Sequence, residues 1–281
     1  MMGKNNITSI VGREKNMKLS CVDAITPGIT FREKFEILEK YGFDGIEIWA
    51  MEDDDLKERA KEINDAANSY KVKPSSVVVS GPASVSLLDS EEAAKIRGKL
   101  IKDSLKIAAD INAVTFFAVE EGPQSVVPIF EKPTPNEFEK KLLLDLVKDV
   151  GKYAQEVGAI LTLEPVNRYE NHFFNTVESA IKICEEVGIE NVKIMVDTCE
   201  LNIEEKNINE TIEKAGDYIY HVHLAENNRL LPGFGHIDFK SIFTSLRKIQ
   251  YKRYMALECA VPGNAEEELP KCVKYLKKCM K

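Results

Sequence analysis

The sequence predicts a single (β/α)8 TIM barrel, and three observations carry that expectation. Short β-rich runs alternate eight times with charged stretches of helical period. The runs are apolar on both faces, as strands of a parallel sheet covered by helices must be. Neither a glycine-rich phosphate fingerprint after the first run nor a Ser/Gly-rich linker appears, which favours one closed barrel over an open doubly wound sheet. The 281 residues suffice, since such barrels need about 250.

In order, residues 1–16 read as a polar lead-in and residues 17–281 as the barrel. The strands are expected at 17–22, 44–49, 73–79, 113–118, 158–164, 192–197, 218–223 and 253–258, where Val, Ile, Leu, Phe, Tyr and Thr concentrate. Helices are expected at 31–41, 55–70, 91–110, 136–157, 176–188, 206–216, 238–248 and 264–280, where apolar residues recur at helical spacing. Thr30 and Ser90 stand where N-caps belong, and Asn136 precedes Glu137 at another start. Gly42, Gly158 and Gly188 fall at expected helix ends.

Composition narrows the function classes. With 38 basic and 46 acidic residues the net charge is −8, which argues against a nucleic-acid partner. Six cysteines show no CxxC pair and no zinc-finger spacing, so reduced thiols are expected. No signal peptide or membrane span is evident, and the expected location is cytoplasmic, with no membrane partner. The lysines of 271–281 read as the polar face of the last helix.

The chemistry is concentrated at the ends of the last four strands. Glu164, Asp197, His223 and Glu258 each stand where an apolar run gives way to loop residues. Active sites of such barrels lie at the C-terminal ends of the strands, so the four side chains should converge at one mouth. Three carboxylates and an imidazole gathered there would repel one another without a divalent cation. Oxygen-rich coordination with one imidazole suits Mn2+, Mg2+ or Co2+ better than structural Zn2+. Glu164 and Glu258, on strands five and eight, would approach the metal from nearly opposite sides. One would take the proton beside a ketone and the other return it to the opposite face, with the cation as Lewis acid.

The segments LEPVNRYE (163–170), VDTCELNIEE (196–205), HVHLAENNRLLPGFG (221–235) and ALECAVPG (256–263) resemble the motifs of the xylose-isomerase-like barrels. Within that superfamily they are most similar to the ketose 3-epimerases acting on tagatose, psicose or ribulose. The resemblance implies metal ligation by Glu164, Asp197, His223 and Glu258, acid–base roles for Glu164 and Glu258, and substrate contacts from Glu170 and Arg229. It implies a divalent metal, Mn2+ first with Mg2+, Co2+ and Zn2+ as alternatives, a small-molecule sugar substrate, and a dimer or tetramer of identical chains. The expected reaction is 3-epimerisation of a free ketose.

Three departures from that pattern stand out. The family usually reads Asp-Thr-Phe-His after strand six, with the His at the sugar's carbonyl end; here Glu200 takes that place, an acceptor for a donor, and is a further candidate substrate contact. A glycine-rich segment common after strand four is replaced by AVEEGP (118–123), and the loop VDAITPG (22–28) lacks aromatic residues. These differences sustain a second expectation, a dehydratase or β-eliminating lyase acting on a keto-sugar or inosose with the same metal site. A multi-zinc phosphodiesterase of the endonuclease IV type fits poorly, because the chain holds only four histidines. Among other candidates, His221 is expected to fill the lumen below His223, His172 and His236 to flank the mouth, Trp49 to wall the pocket or pack in the core, and Glu120 and Glu121 to be a solvated pair.

Overall fold

A computed structural model describes residues 17–51, 56–80, 88–119 and 134–281. The expected lead-in 1–16, the Glu120–Glu121 pair and most of the AVEEGP segment lie outside these residues. Eight parallel strands close in sequence order. They are β1 (Lys18–Val22), β2 (Gly45–Met51), β3 (Lys73–Ser80), β4 (Val114–Phe117), β5 (Ile160–Leu163), β6 (Val192–Asp197), β7 (Ile219–Leu224) and β8 (Tyr254–Leu257). Pairing of β8 with β1, from Lys18↔Tyr254 to Cys21↔Leu257, shuts the barrel.

The α-helices among the described residues are α1 (Phe31–Tyr41), α2 (Leu56–Ser69), α3 (Glu91–Ile111), α4 (Glu137–Val157), α5 (Val177–Val187), α6 (Thr198–Glu204), α7 (Ile208–Ala215), α8 (Phe239–Lys248) and α9 (Ala265–Cys279). The expected caps form. Thr30 and Asn136 each make a capping box with the glutamate three residues on, and Ser90 accepts from Ala93 N. Gly42, Gly158 and Gly188 end α1, α4 and α5 in the left-handed conformation.

One helix is additional to the eight expected. The segment after β6 coils at once into α6, because the Asp197 side chain accepts from Cys199 N at 2.6 Å and caps the turn. A short 3-10 turn, Asp23–Ile25, likewise follows β1 where a plain loop was expected. Both elements sit at the mouth and shape it.

Apolar residues such as Phe35, Leu38, Leu105, Val147, Phe239 and Phe243 form the layer between helices and barrel. The lumen is different. Glu47 on β2 is hydrogen-bonded to both Ser76 on β3 and His221 on β7, and all three are buried. β2 and β7 are not neighbours in the ring, so Glu47 and His221 can meet only across the interior. A lumen usually filled by branched apolar side chains here carries a buried carboxylate, which burial penalises unless it is hydrogen-bonded.

Candidate metal centre

All seven residues predicted for the site come together at the C-terminal mouth. Glu164 directly follows β5, and its backbone N donates to Phe117 O at 2.9 Å, so the residue is pinned to β4 as it leaves the barrel. Asp197 closes β6, His223 is the penultimate residue of β7 and Glu258 directly follows β8. Glu164, Asp197 and His223 each offer an atom within 4.8 Å of the other two. Glu258 joins them through His223: its Oε2 is 3.4 Å from Nδ1, and Glu164 Oε1 is 3.3 Å from the same nitrogen. Yet Nδ1 is buried and has no hydrogen-bond partner. A buried ring nitrogen facing two carboxylates marks a place for positive charge, a proton or a metal ion, and the donor set of one imidazole and three carboxylates suits a divalent cation.

The electrostatics agree. Burial pushes Glu164 up to about 7; the His223 charge opposes this, while Glu258 and Asp197 add to it. Burial likewise raises Asp197 to about 6, against the pull of Arg229 and with the push of Glu258. Burial opposes charging of His223, but the carboxylates of Glu47, Glu258 and Glu164 hold it well above the ordinary imidazole value. The pocket therefore favours bound protons over a bare cluster of negative charge.

Arg229 crosses the top of this cluster. Its Nη1 donates to Asp197 Oδ2 at 3.1 Å and lies 3.5 Å from Glu258 Oε2, while Nη2 donates to Glu170 Oε1 at 3.1 Å and to Glu200. Its backbone is left-handed, φ 61°, a conformation that non-glycine residues adopt only when their surroundings enforce it. Enforcement is visible in the loop. Arg229 N donates to Glu226 O, Glu226 N to Leu230 O, and Ala260 N to Arg229 O. Glu226, itself buried, accepts from Gly233 N at 2.8 Å and Ile237 N at 3.1 Å. A Cβ on Gly235 would collide with the Glu226 carboxylate. The segment from Glu226 to Gly235 is thus a loop that aims one guanidinium.

Glu200 lies under that guanidinium. One oxygen accepts from Arg229, and the other accepts from Asn167 N at 2.5 Å and Asn167 Nδ2 at 2.7 Å. Burial and the nearby Asp197 raise its carboxyl to about 8 against the attraction of Arg229. Glu170, half exposed, accepts from Asn167 Nδ2 and Arg229. Arg168 holds α6 to the β5 loop through a two-pronged pair with Glu204. Above these groups opens a cavity of about 590 Å3. Its polar lining includes Glu164, Glu170, Glu200, Arg229 and Glu258, and its apolar lining Ile25, Trp49, Val78 and Phe116.

Of the remaining candidates, Trp49 walls the pocket, and His221 lies below His223 and bonds to Glu47 Oε2 at 2.8 Å. His172 is buried against Glu139 of α4, and His236 is exposed. The sequence reading assigned no role to Glu47. Its signal was present: an acidic residue inside the apolar run GIEIWA (45–50) has nowhere to go but the lumen.

A closed eight-strand barrel with an acid-rich, imidazole-bearing pocket at the C-terminal ends of its strands defines an enzyme-type TIM barrel. The xylose isomerase-like TIM barrel family matches residues 35–279, and the chain belongs to that family. The chain is 28% identical over 230 residues to the 3-dehydro-D-guloside 4-epimerase of Escherichia coli K12, covering 80% of this chain and 86% of that one. It is 43% identical over 112 residues to the D-psicose 3-epimerase of Enterocloster bolteae, a match spanning 40% of this chain and 37% of that relative's length. The crystal structure of 3-keto-D-glucoside 4-epimerase from Escherichia coli superposes with a TM-score of 0.85 at 25% identity, covering 94% of this chain and 100% of that one. These relatives are sugar epimerases, and the lyase expectation gains no support from them. No helix among the described residues is long and apolar enough to cross a membrane.

Proposed function

We propose that this chain is a divalent-metal-dependent sugar epimerase that inverts a hydroxyl-bearing carbon beside a ketone. The observation that carries the reading is the approach of both Glu164 and Glu258 to His223 Nδ1, at 3.3 and 3.4 Å. Glu164, Asp197, His223 and Glu258 would hold the cation, with Mn2+ the favoured ion. When bound, it supplies Lewis-acid polarisation of the ketone oxygen.

The chain's own groups do the rest. One of Glu164 and Glu258 removes the proton from the carbon beside the ketone, and the other returns a proton to the opposite face. Their roles exchange in the reverse direction. Arg229, fixed by Glu170 and Glu200, donates to substrate oxygens, and Trp49 and Phe116 supply apolar wall.

The substrate is expected to be a free 2-ketose inverted at carbon 3. A second reading, a 3-keto-glycoside inverted at carbon 4, is favoured by the match to the 3-dehydro-D-guloside 4-epimerase, which spans most of both chains. Both are proton transfers beside a ketone, so one assay serves both. Incubation with Mn2+ in D2O should place deuterium on the inverted carbon of one substrate class and yield its epimer. Absence of both label and epimer from fructose, psicose, tagatose, ribulose and 3-keto-glucosides would overturn the proposal.

A further inference from the structure

Glu47 is a carboxylate with no exposure to solvent, in the middle of the barrel, and the proton transfers proposed above do not use it. Four donors converge on it. Ser76 Oγ and His221 Nε2 reach Oε2, the latter at 2.8 Å, Trp49 Nε1 reaches Oε1 at 3.3 Å, and His223 Nε2 lies 3.1 Å from each oxygen. Its two histidines come from β7 and its serine from β3, so the contacts span the lumen from three strands.

We propose that Glu47 is a positioning residue that fixes the tautomer and ring orientation of His223, so that Nδ1 presents its lone pair to the metal site. The inference rests on the metal reading of that site. A carboxylate can only accept, so Glu47 claims the hydrogen on Nε2 and leaves Nδ1 as the free nitrogen. Nδ1 is the atom that faces Glu164 and Glu258 and has no hydrogen-bond partner. Ring orientation is also braced by Phe116, whose ring meets His223 edge-on with centroids 5.1 Å apart.

Glu47 reaches the pocket wall as well. The indole of Trp49 is tied to it, and the Trp49 backbone is held by Asp23 and Arg59. One buried group therefore sets both an imidazole at the floor of the cavity and an aromatic ring on its side. Fold stability alone gives little reason for such a group, because well-packed apolar residues commonly stabilise a core as well as a buried ion pair does. Glu47, His221 and His223 also offer three atoms near enough for a cation of their own. The hydrogen bonds argue against it, since Glu47 already receives Ser76 and Trp49 in addition to the two imidazoles.

The test is Mn2+ affinity, read by electron paramagnetic resonance on metal-free full-length protein, for wild type, Glu47→Gln and His221→Asn. Circular dichroism reports folding of each. Loss of such an outer partner typically weakens metal affinity about 10- to 100-fold, and that loss is expected for E47Q. For H221N, which keeps the carboxylate, an affinity within about threefold of wild type is expected by the same argument. Histidine 15N shifts of the wild type loaded with diamagnetic Mg2+ give a readout that needs no variant: His223 should carry its hydrogen on Nε2. A folded E47Q that binds Mn2+ like wild type, or a hydrogen on Nδ1 of His223, overturns the role of Glu47. A wild type that binds no Mn2+ overturns the metal reading itself.

Discussion

Glu200, in the first turn of α6, is hydrogen-bonded to Arg229, on the loop after β7, and thereby joins two elements that the chain separates by 29 residues. Where ketose 3-epimerases usually carry a histidine, this chain holds an acid that grips the arginine from below. The guanidinium makes a fork of contacts that an ammonium cannot copy. Arg229→Lys should therefore lower kcat/KM at least about 10-fold, a loss of about 1.4 kcal/mol. Glu200→Gln should shift KM more than kcat, because it loosens the arginine without touching the acid–base pair. Steady-state kinetics of both variants check this, and unchanged kinetics in R229K would contradict it.

The crowded carboxylates make the metal-free protein sensitive to pH. Glu164, Asp197 and Glu200 stand at about 7, 6 and 8 in the fold, against ordinary values of 4.5, 3.8 and 4.5. A carboxyl raised in the folded state holds its proton there after the unfolded chain has released it, so stability falls as pH rises between the two values. His223, raised in the fold, acts in the same direction. Glu47, held below its ordinary value by the two histidines despite burial, matters only below about pH 4.5. The Tm of metal-free protein should drop on the order of 5 °C or more from pH 5 to pH 8. Saturating Mn2+ should remove most of the drop. Calorimetry with and without the ion checks the sign; a Tm that climbs over this range without metal would contradict it.

Exchange with solvent separates the two glutamates. Glu164→Gln and Glu258→Gln should each reduce epimerisation about 100-fold or more, the usual scale of a lost acid or base. Each variant should retain deuterium wash-in from only one epimer, the one whose proton faces the surviving carboxylate. Nuclear magnetic resonance of each epimer in D2O reads this directly, and equal exchange from both epimers in either variant would show that the pair does not divide the faces.

Glu226 offers a stability prediction beside the site. It accepts two backbone N–H groups within the loop that carries Arg229, and hydrogen bonds to a charged group contribute about 1.5–3 kcal/mol each. Glu226→Ala should lower Tm by about 6 °C or more and also reduce kcat/KM, since Arg229 would lose its left-handed perch. Thermal unfolding and kinetics together check it; a fall in stability with activity intact would mean that the loop aims nothing.

Much of this was legible in the chain itself. Strand alternation, caps at Thr30, Ser90 and Asn136, and four ligand-type residues at strand ends follow from local patterns that tertiary structure did not override. α6 was not legible, because seven residues with no clear apolar period acquire their helix from the Asp197 cap and from burial of Thr198, Cys199, Glu200 and Leu201. The link from Glu47 to His223 was invisible for another reason: 176 residues separate the partners, and only closure of the barrel brings them together. The same holds for Glu200, whose partner Arg229 could not be named from the segment VDTCE.

The most direct test is anomalous scattering from a crystal of the metal-free protein soaked in Mn2+. A single peak per chain, within bonding distance of Glu164, Asp197, His223 Nδ1 and Glu258 and with Arg229 beside it, is the predicted result. No peak, or one seated among Glu47, His221 and His223 instead, would contradict the account.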